Sequence, residues 1–295
     1  MAIPVELKAN ASGFSAIADI WVKSVTFPRG SKVLYDFDSC RDVDANLASM
    51  LGAMLDRLTD LGYSMFVNSP KNRVALKSLS RIGFLKAFEV TSNIEEKENF
   101  IKYCRFEVDE YKEFKQYILE DLIKKKRFPH CTEKAAEKII ENIYEVFANA
   151  VTHGGSKYIY SCGESHERNG SPTLEFAISN IGRTVSDNVN KLMRDRQAGE
   201  LDDAEAIKWA FAEGHTTKLV PGGLGLAILR DFISLNRGRI QFASGRGVVE
   251  LDGPDFAMYS LSNAIPGTVV NLSFNCSDKN SYFLKSEAPN LQDLL

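Results

Sequence analysis

Apolar positions along the chain recur with two different periods, and the switches between them divide the sequence into elements. Residues 33–37, Val-Leu-Tyr-Asp-Phe, read as a strand. Leu47, Met50, Leu51, Met54, Leu55, Leu58 and Leu61 return every three or four positions, as one face of a helix does. Residues 63–67 predict a second strand, Pro70-Lys71-Asn72 a break, and residues 73–82 another helix. Such alternation predicts a small α/β layer structure. An acidic, polar segment at 95–99 marks the boundary of this first unit, residues 1–95.

Beyond the boundary the pattern predicts one helix over 109–128, closed by Pro129, and a second that Thr132 can cap. After Gly154-Gly155 short strands follow at 158–162 and 174–179, then a polar stretch and a helix at 204–212. A Gly-Gly turn, a helix at 224–236 and strands ending at 269–274 complete a second unit, residues 96–276, with a tail at 277–295. No internal repeat is present.

Composition narrows the class. Of 295 residues, 44% are hydrophobic and 25% charged, the proportions of a folded globular protein. No run reaches the ~18 apolar residues of a membrane span, and the opening Met1-Ala-Ile-Pro-Val-Glu-Leu-Lys lacks a signal pattern, so a cytoplasmic protein without a membrane partner is expected. The formal net charge of −3 points away from a general nucleic-acid binder, which needs a positive field. Lys124-Lys125-Lys126-Arg127 reads as a solvated helix end. Cys40, Cys104, Cys131, Cys162 and Cys276 form no Cys-x-x-Cys pair and are expected to be reduced.

Two stretches carry chemistry. Between residues 133 and 153, Ile139, Ile140, Ile143, Val146, Phe147 and Ala150 make an apolar face, and Glu145, Asn149 and His153 line up beside it at i, i+4 and i+8. An amide oxygen suits a hard cation and a carboxylate can act as base, although an ordinary solvated helix face shows the same set. The second stretch, Pro221-Gly222-Gly223-Leu224-Gly225-Leu226-Ala227-Ile228-Leu229, runs a glycine turn into an apolar helix. Backbone N–H groups exposed there suit phosphate, and a tight packing turn is the alternative. Neither a P-loop nor a dinucleotide fingerprint is present, because no Gly-Lys-Ser/Thr follows the glycines and they do not come at the first strand-to-helix turn with an acid farther on.

Read in order, these segments resemble the GHKL ATPases, the family of gyrase, heat-shock chaperones, mismatch-repair ATPases and sensor histidine kinases. Glu145-Val-Phe-Ala-Asn149-Ala-Val-Thr-His153 is similar to the N box, Ser179-Asn180-Ile181-Gly182-Arg183-Thr184 lies where the first glycine box belongs, Gly222-Gly-Leu-Gly-Leu226 resembles the second, and Gly267-Thr268 stands where the family has its Gly-Thr pair. The resemblance spans about residues 109–275. It implies a Bergerat-type α/β sandwich, a mixed sheet with helices on one face, that binds ATP and Mg2+. By that likeness Glu145 is the catalytic base, Asn149 the magnesium ligand, and His153 a neighbour of the phosphates. Gly222, Gly223, Leu224, Gly225 and Leu226 cradle the phosphates, and Thr216, Thr217 and Lys218 end a lid formed by 185–220. Thr268 supports the adenine pocket together with Asn180 and Gly182.

The family's first glycine box usually carries Asp where Asn180 stands. An amide oxygen still accepts from the adenine amino group, without charge, at a cost of roughly 1 kcal/mol. The first unit is similar to a STAS domain, the fold of anti-sigma-factor antagonists, through the strand at 33–37, Val43-Asp44-Ala45-Asn46-Leu47 and Arg81-Ile82-Gly83-Phe84-Leu85. Ala45 and Asn46 replace the serine that signalling members phosphorylate, which implies that this switch is absent. Asp44 is expected to cap its helix and Ser49 to be a solvated helix residue. Ser165-His166-Glu167 superficially matches a phosphoacceptor box but follows the N box, in an expected exposed loop; His130 reads as a turn residue, and Trp209, with Ile207 and Phe211, as core of a lid helix.

The implied function is a Mg-dependent ATPase or protein kinase in intracellular regulation, with a protein partner and a possible homodimer by family analogy. The alternative is a nucleotide-sensing module that switches partners through its STAS-like half.

Overall fold

The computed structural model describes residues 1–94, 100–125, 127–152, 154–168, 170–212, 225–253 and 255–287, and of Ala150, Thr152, Gly225 and Leu226 the backbone alone. The N-terminal elements are β1 (Glu6–Leu7), α1 (Ala11–Val25), β2 (Lys32–Tyr35), β3 (Asp42–Val43), α2 (Ala48–Asp60), β4 (Ser64–Val67), α3 (Arg73–Arg81) and α4 (Phe84–Ala87). A single turn of 3-10 helix, Ala45–Leu47, leads into α2. β1 pairs with β3 and β2 with β4, both in parallel, and a bridge between Ala2 and Asp36 joins the two pairs. The strands at 33–37 and 63–67 and the helices at 47–61 and 73–82 are therefore found close to where periodicity puts them. α1 is a helix that the sequence reading did not identify.

The second part contains β5 (Phe100–Glu107), α5 (Tyr111–Tyr117), α6 (Glu133–Thr152), β6 (Tyr158–Arg168), β7 (Ser171–Ile181), α7 (Val185–Asp195), α8 (Asp203–Phe211), α9 (Gly225–Leu235), β8 (Arg239–Asp252) and β9 (Asp255–Asn275). Among the described residues these five strands form one sheet in the order β5-β6-β7-β9-β8, and every pairing is antiparallel. The mixed sheet expected from the resemblance is thus corrected to an antiparallel one: β6–β7 and β8–β9 are hairpins, and although α7, α8 and α9 connect β7 to β8, β9 lies between those two strands, so no neighbouring pair is parallel.

Period-two alternation assigns each strand residue a face. Leu174, Phe176 and Ile178 of β7, with Val270, Leu272 and Phe274 of β9, join the core shared with α5, α6 and α9. Tyr160, Cys162, Ala243 and Val269 point the other way and join the core of the N-terminal layer. Both faces are therefore covered, with α1 and α2 lying across the second. Helices on one face only was the expectation, and the N-terminal layer supplies the correction.

Four further expectations are corrected. The single helix over 109–128 is α5 followed by a π-helical turn, Ile118–Ile123, whose wider winding buries Ile118 and Leu122. Ser165, His166 and Glu167 belong to β6, because the β6–β7 hairpin extends in register as far as Arg168 and Ser171. His166 is half-buried there, with Nε2 3.8 Å from Glu175 Oε1. Asp44 stands at the N-cap position but turns its carboxylate to the Ala9 N–H and to Lys8 Nζ. Ser49 is fully buried rather than solvated.

Of the expected lid, 185–220, residues 213–220 lie outside the described residues. Its part from 185 to 211 contains α7 and α8, each opened by a capping box, at Thr184/Asp187 and Asp202/Glu205, and α8 packs on β8. Ile207 and Phe211 are buried as expected of core, and Trp209 is half-buried. The expected boundary at 95–99 lies outside the described residues. The tail returns to the start of α6, where Tyr282 pairs with Cys131 and Glu287 accepts from the Thr132 hydroxyl.

Candidate functional site

α6 is positioned by its ends and by one face. Thr132 Oγ1 accepts from the Ala135 N–H at 3.2 Å and so caps the helix, as its sequence position predicts. Ile139, Ile143, Val146 and Phe147 are buried against the sheet, and α6 lies beside α9. Glu145 and Asn149, one turn apart, are half-buried on the flank of that apolar face.

At the C-terminal end of α6 the Gly154 N–H donates to the Asn149 carbonyl at 3.4 Å, and Gly155 takes a φ of +61°, which reverses the chain. The Gly154 carbonyl accepts from the Arg183 N–H at 2.7 Å. Ser156 Oγ donates to the Ile181 carbonyl at 2.7 Å and lies 2.8 Å from Asn180 Nδ2. Because the Ser156 proton is committed to Ile181, Ser156 must accept from the Asn180 amide. This fixes the amide with its nitrogen toward Ser156 and Oδ1 directed away from it.

Asn180 is buried and pairs across the sheet with Thr268, and Ile181 pairs with Gly267. The Gly182 N–H donates to the Pro266 carbonyl at 3.1 Å. Ser244, beside Thr268 on β8, donates to the Gly267 carbonyl at 2.9 Å and accepts from the Val185 N–H at 3.0 Å. Its oxygen is also 3.0 Å from Thr268 Oγ1. With the Ser244 proton used on Gly267, Thr268 is the donor of that pair, so its hydroxyl offers only lone pairs to any further group.

Three of the four sequence segments therefore meet. Residues following Asn149, the Asn180–Gly182 segment and the Gly267–Thr268 segment are linked by direct hydrogen bonds. The fourth segment lies largely outside the described residues: Gly222, Gly223 and Leu224 fall there, as do His153 of the first segment and Thr216, Thr217 and Lys218 of the expected lid, and Gly225 and Leu226 are described only as the first backbone turn of α9. Sequence reasoning missed Ser156 and Ser244, the two hydroxyls that orient Asn180 and Thr268. The one available signal was a serine directly after the glycine pair at 154–155.

Among the described residues no three His, Cys, Asp or Glu side chains gather as a metal cluster, and no helix is long and apolar enough to cross a membrane. All five cysteines are free. No protein-family model matches the chain, and no curated protein matches it.

Proposed function

We propose that the chain is a GHKL-type, magnesium-dependent ATP-binding protein that couples nucleotide state to regulation. The observation that carries the reading is the junction just described. Three segments picked out by resemblance, distant from one another in sequence, converge on one end of the sheet, with α9 beside the helix that bears Glu145 and Asn149.

The donor and acceptor pattern fits an adenine nucleotide. Asn180 Oδ1 and Thr268 Oγ1 are acceptors by the proton bookkeeping of their partners, as an adenine amino group or a bridging water requires. Asn149 offers one hard oxygen, which suits magnesium, an ion that takes its remaining ligands from phosphate and water. The half-buried Glu145 carboxylate, one turn before, would deprotonate the attacking water or acceptor hydroxyl. The Bergerat-type sandwich and the STAS-like layer belong to the same proposal.

Thermal unfolding with and without magnesium and ATP tests it, together with phosphate release. ATP is expected to raise the melting temperature of the wild type, Asn149→Ala to abolish the shift, and Glu145→Ala to keep binding while losing turnover. An unshifted wild type at millimolar ATP would overturn the binding reading, and unchanged turnover in Glu145→Ala would remove Glu145 from the chemistry. Binding without turnover in the wild type would favour the sensor reading. That reading draws support from the burial of Ala45, Asn46 and Ser49 against the sheet.

A further inference from the structure

The entry to α2 is fastened to the sheet by polar contacts that sequence distance conceals. The Ala45 N–H donates to Glu164 Oε1 at 2.9 Å, Cys162 Sγ lies 3.1 Å from the Ala45 carbonyl, and Asp56 Oδ2 accepts from Tyr160 Oη at 2.9 Å. At the centre of this contact Ser49 Oγ is 2.6 Å from Ser179 Oγ, and both residues are fully buried. Ser49 also donates to the Asn46 carbonyl at 2.8 Å, so the proton between the two serines belongs to Ser179.

Ser179 is the residue before Asn180. Consecutive residues of a strand point to opposite faces. Ser179 therefore reaches into the N-terminal layer, while Asn180 reaches toward Ser156 and the candidate nucleotide site. One peptide unit of β7 carries both contacts. It also pairs in register with Tyr160 on one side, through Ser179, and with Thr268 on the other, through Asn180, so it cannot shift at one face alone.

We infer that Ser49 is a positioning residue for the nucleotide site, acting on Asn180 through the Ser179 hydroxyl, and that occupancy of the site is read by the N-terminal layer through the same contact. This rests on the proposed nucleotide reading. Coupling of this kind is reciprocal: whatever α2 does to ATP affinity, ATP does to α2.

A double-mutant cycle tests it, with ATP dissociation constants in magnesium for the wild type, Ser49→Ala, Asn180→Asp and the double variant. Ser49→Ala is expected to weaken ATP by about two- to thirty-fold, the range of residues that modulate a site without touching its ligand. Its effect should differ in the Asn180→Asp background, and Ser49→Thr should recover affinity by restoring the hydroxyl. Equal fold-changes in both backgrounds, or no change at all, would overturn the inference. Should Ser49→Ala fail to fold, amide exchange decides: ATP should slow exchange in residues 48–52 of the wild type, and unchanged exchange there sinks the idea. A wild type that binds no ATP overturns the nucleotide reading and this one with it, whereas binding with an additive cycle overturns this one alone.

Discussion

Gly182 lies directly against the Gly154 carbonyl: a Cβ built at 182 would come within 2.1 Å of that oxygen and 3.0 Å of Ser156 Oγ. The obstacle is backbone, so it cannot rotate away. Gly182→Ala is expected to destabilise the fold by about 1–3 kcal/mol, the usual cost of overpacking, and to move the end of α6 away from Asn180. Gly199→Ala, where nothing lies within 4 Å, is the control and should be close to neutral. Equal melting temperatures for the two variants would refute the close approach.

How much of this was legible in the sequence depends on how far each side chain's partner lies along the chain. α2 and α6 were readable because their apolar spacing repeats within a few residues, and Thr132 because a cap acts three residues ahead. Ser49 and Asp44 were misread because their partners, Ser179 for one, Ala9 and Lys8 for the other, are 130, 35 and 36 residues away. His166 was misread because Gly170 and Pro172 suggest a loop, although the hairpin simply reverses there while its ladder continues to Ser171. The segments at 179–184 and 267–268 were singled out by resemblance, and they lie side by side in the sheet. The hydroxyls of Ser156 and Ser244 were not, because hydrogen-bond direction emerges only once the protons of a network are assigned.

Thr132 does two jobs at the start of the helix that bears Glu145 and Asn149. Its oxygen accepts from the Ala135 N–H and its proton goes to Glu287 Oε2. Thr132→Ala removes the cap and should cost about 1 kcal/mol, measured by chemical denaturation, whereas Thr132→Ser should retain most of it. An alanine variant as stable as wild type would mean that neither the cap nor the Glu287 contact holds this end.

Asp203 ties the helices of the expected lid to the sheet. One carboxylate oxygen accepts from Ser186 Oγ and the other from the Arg246 N–H at 2.6 Å. A lid in free exchange between positions would not carry such a link. Residues 185–211 are therefore expected to show the same amide protection with and without ATP, and Asp203→Ala to destabilise by about 1 kcal/mol through the hydrogen bonds it removes. ATP-dependent protection across α7 and α8 would restore them to the lid.

Glu164 and Glu175 face each other across β6 and β7, Glu175 buried and Glu164 partly so, and loss of water pushes both carboxyls above the usual carboxylate value. The groups around them do not cancel that penalty. His166 and Arg239 favour the charged forms, the Ala45 N–H and Ser273 hydroxyl donate, and Asp44 opposes; Arg239 is shared with Glu250, and Asp44 with Lys8. A carboxyl whose folded value exceeds its unfolded one binds more protons when folded. Its contribution is fully present below the unfolded value near 4.5 and is lost as pH rises through the raised folded value. Urea midpoints should therefore fall between pH 5 and pH 7.5, a window below the ordinary titration range of the free thiols. Glu164→Gln combined with Glu175→Gln removes both titrations and should flatten that slope. Ala45 keeps an acceptor in the glutamine variant, so the comparison isolates charge from hydrogen bonding. A midpoint that rises with pH across the window in the wild type, or an unchanged slope in the double variant, would show that the pair is ionised throughout.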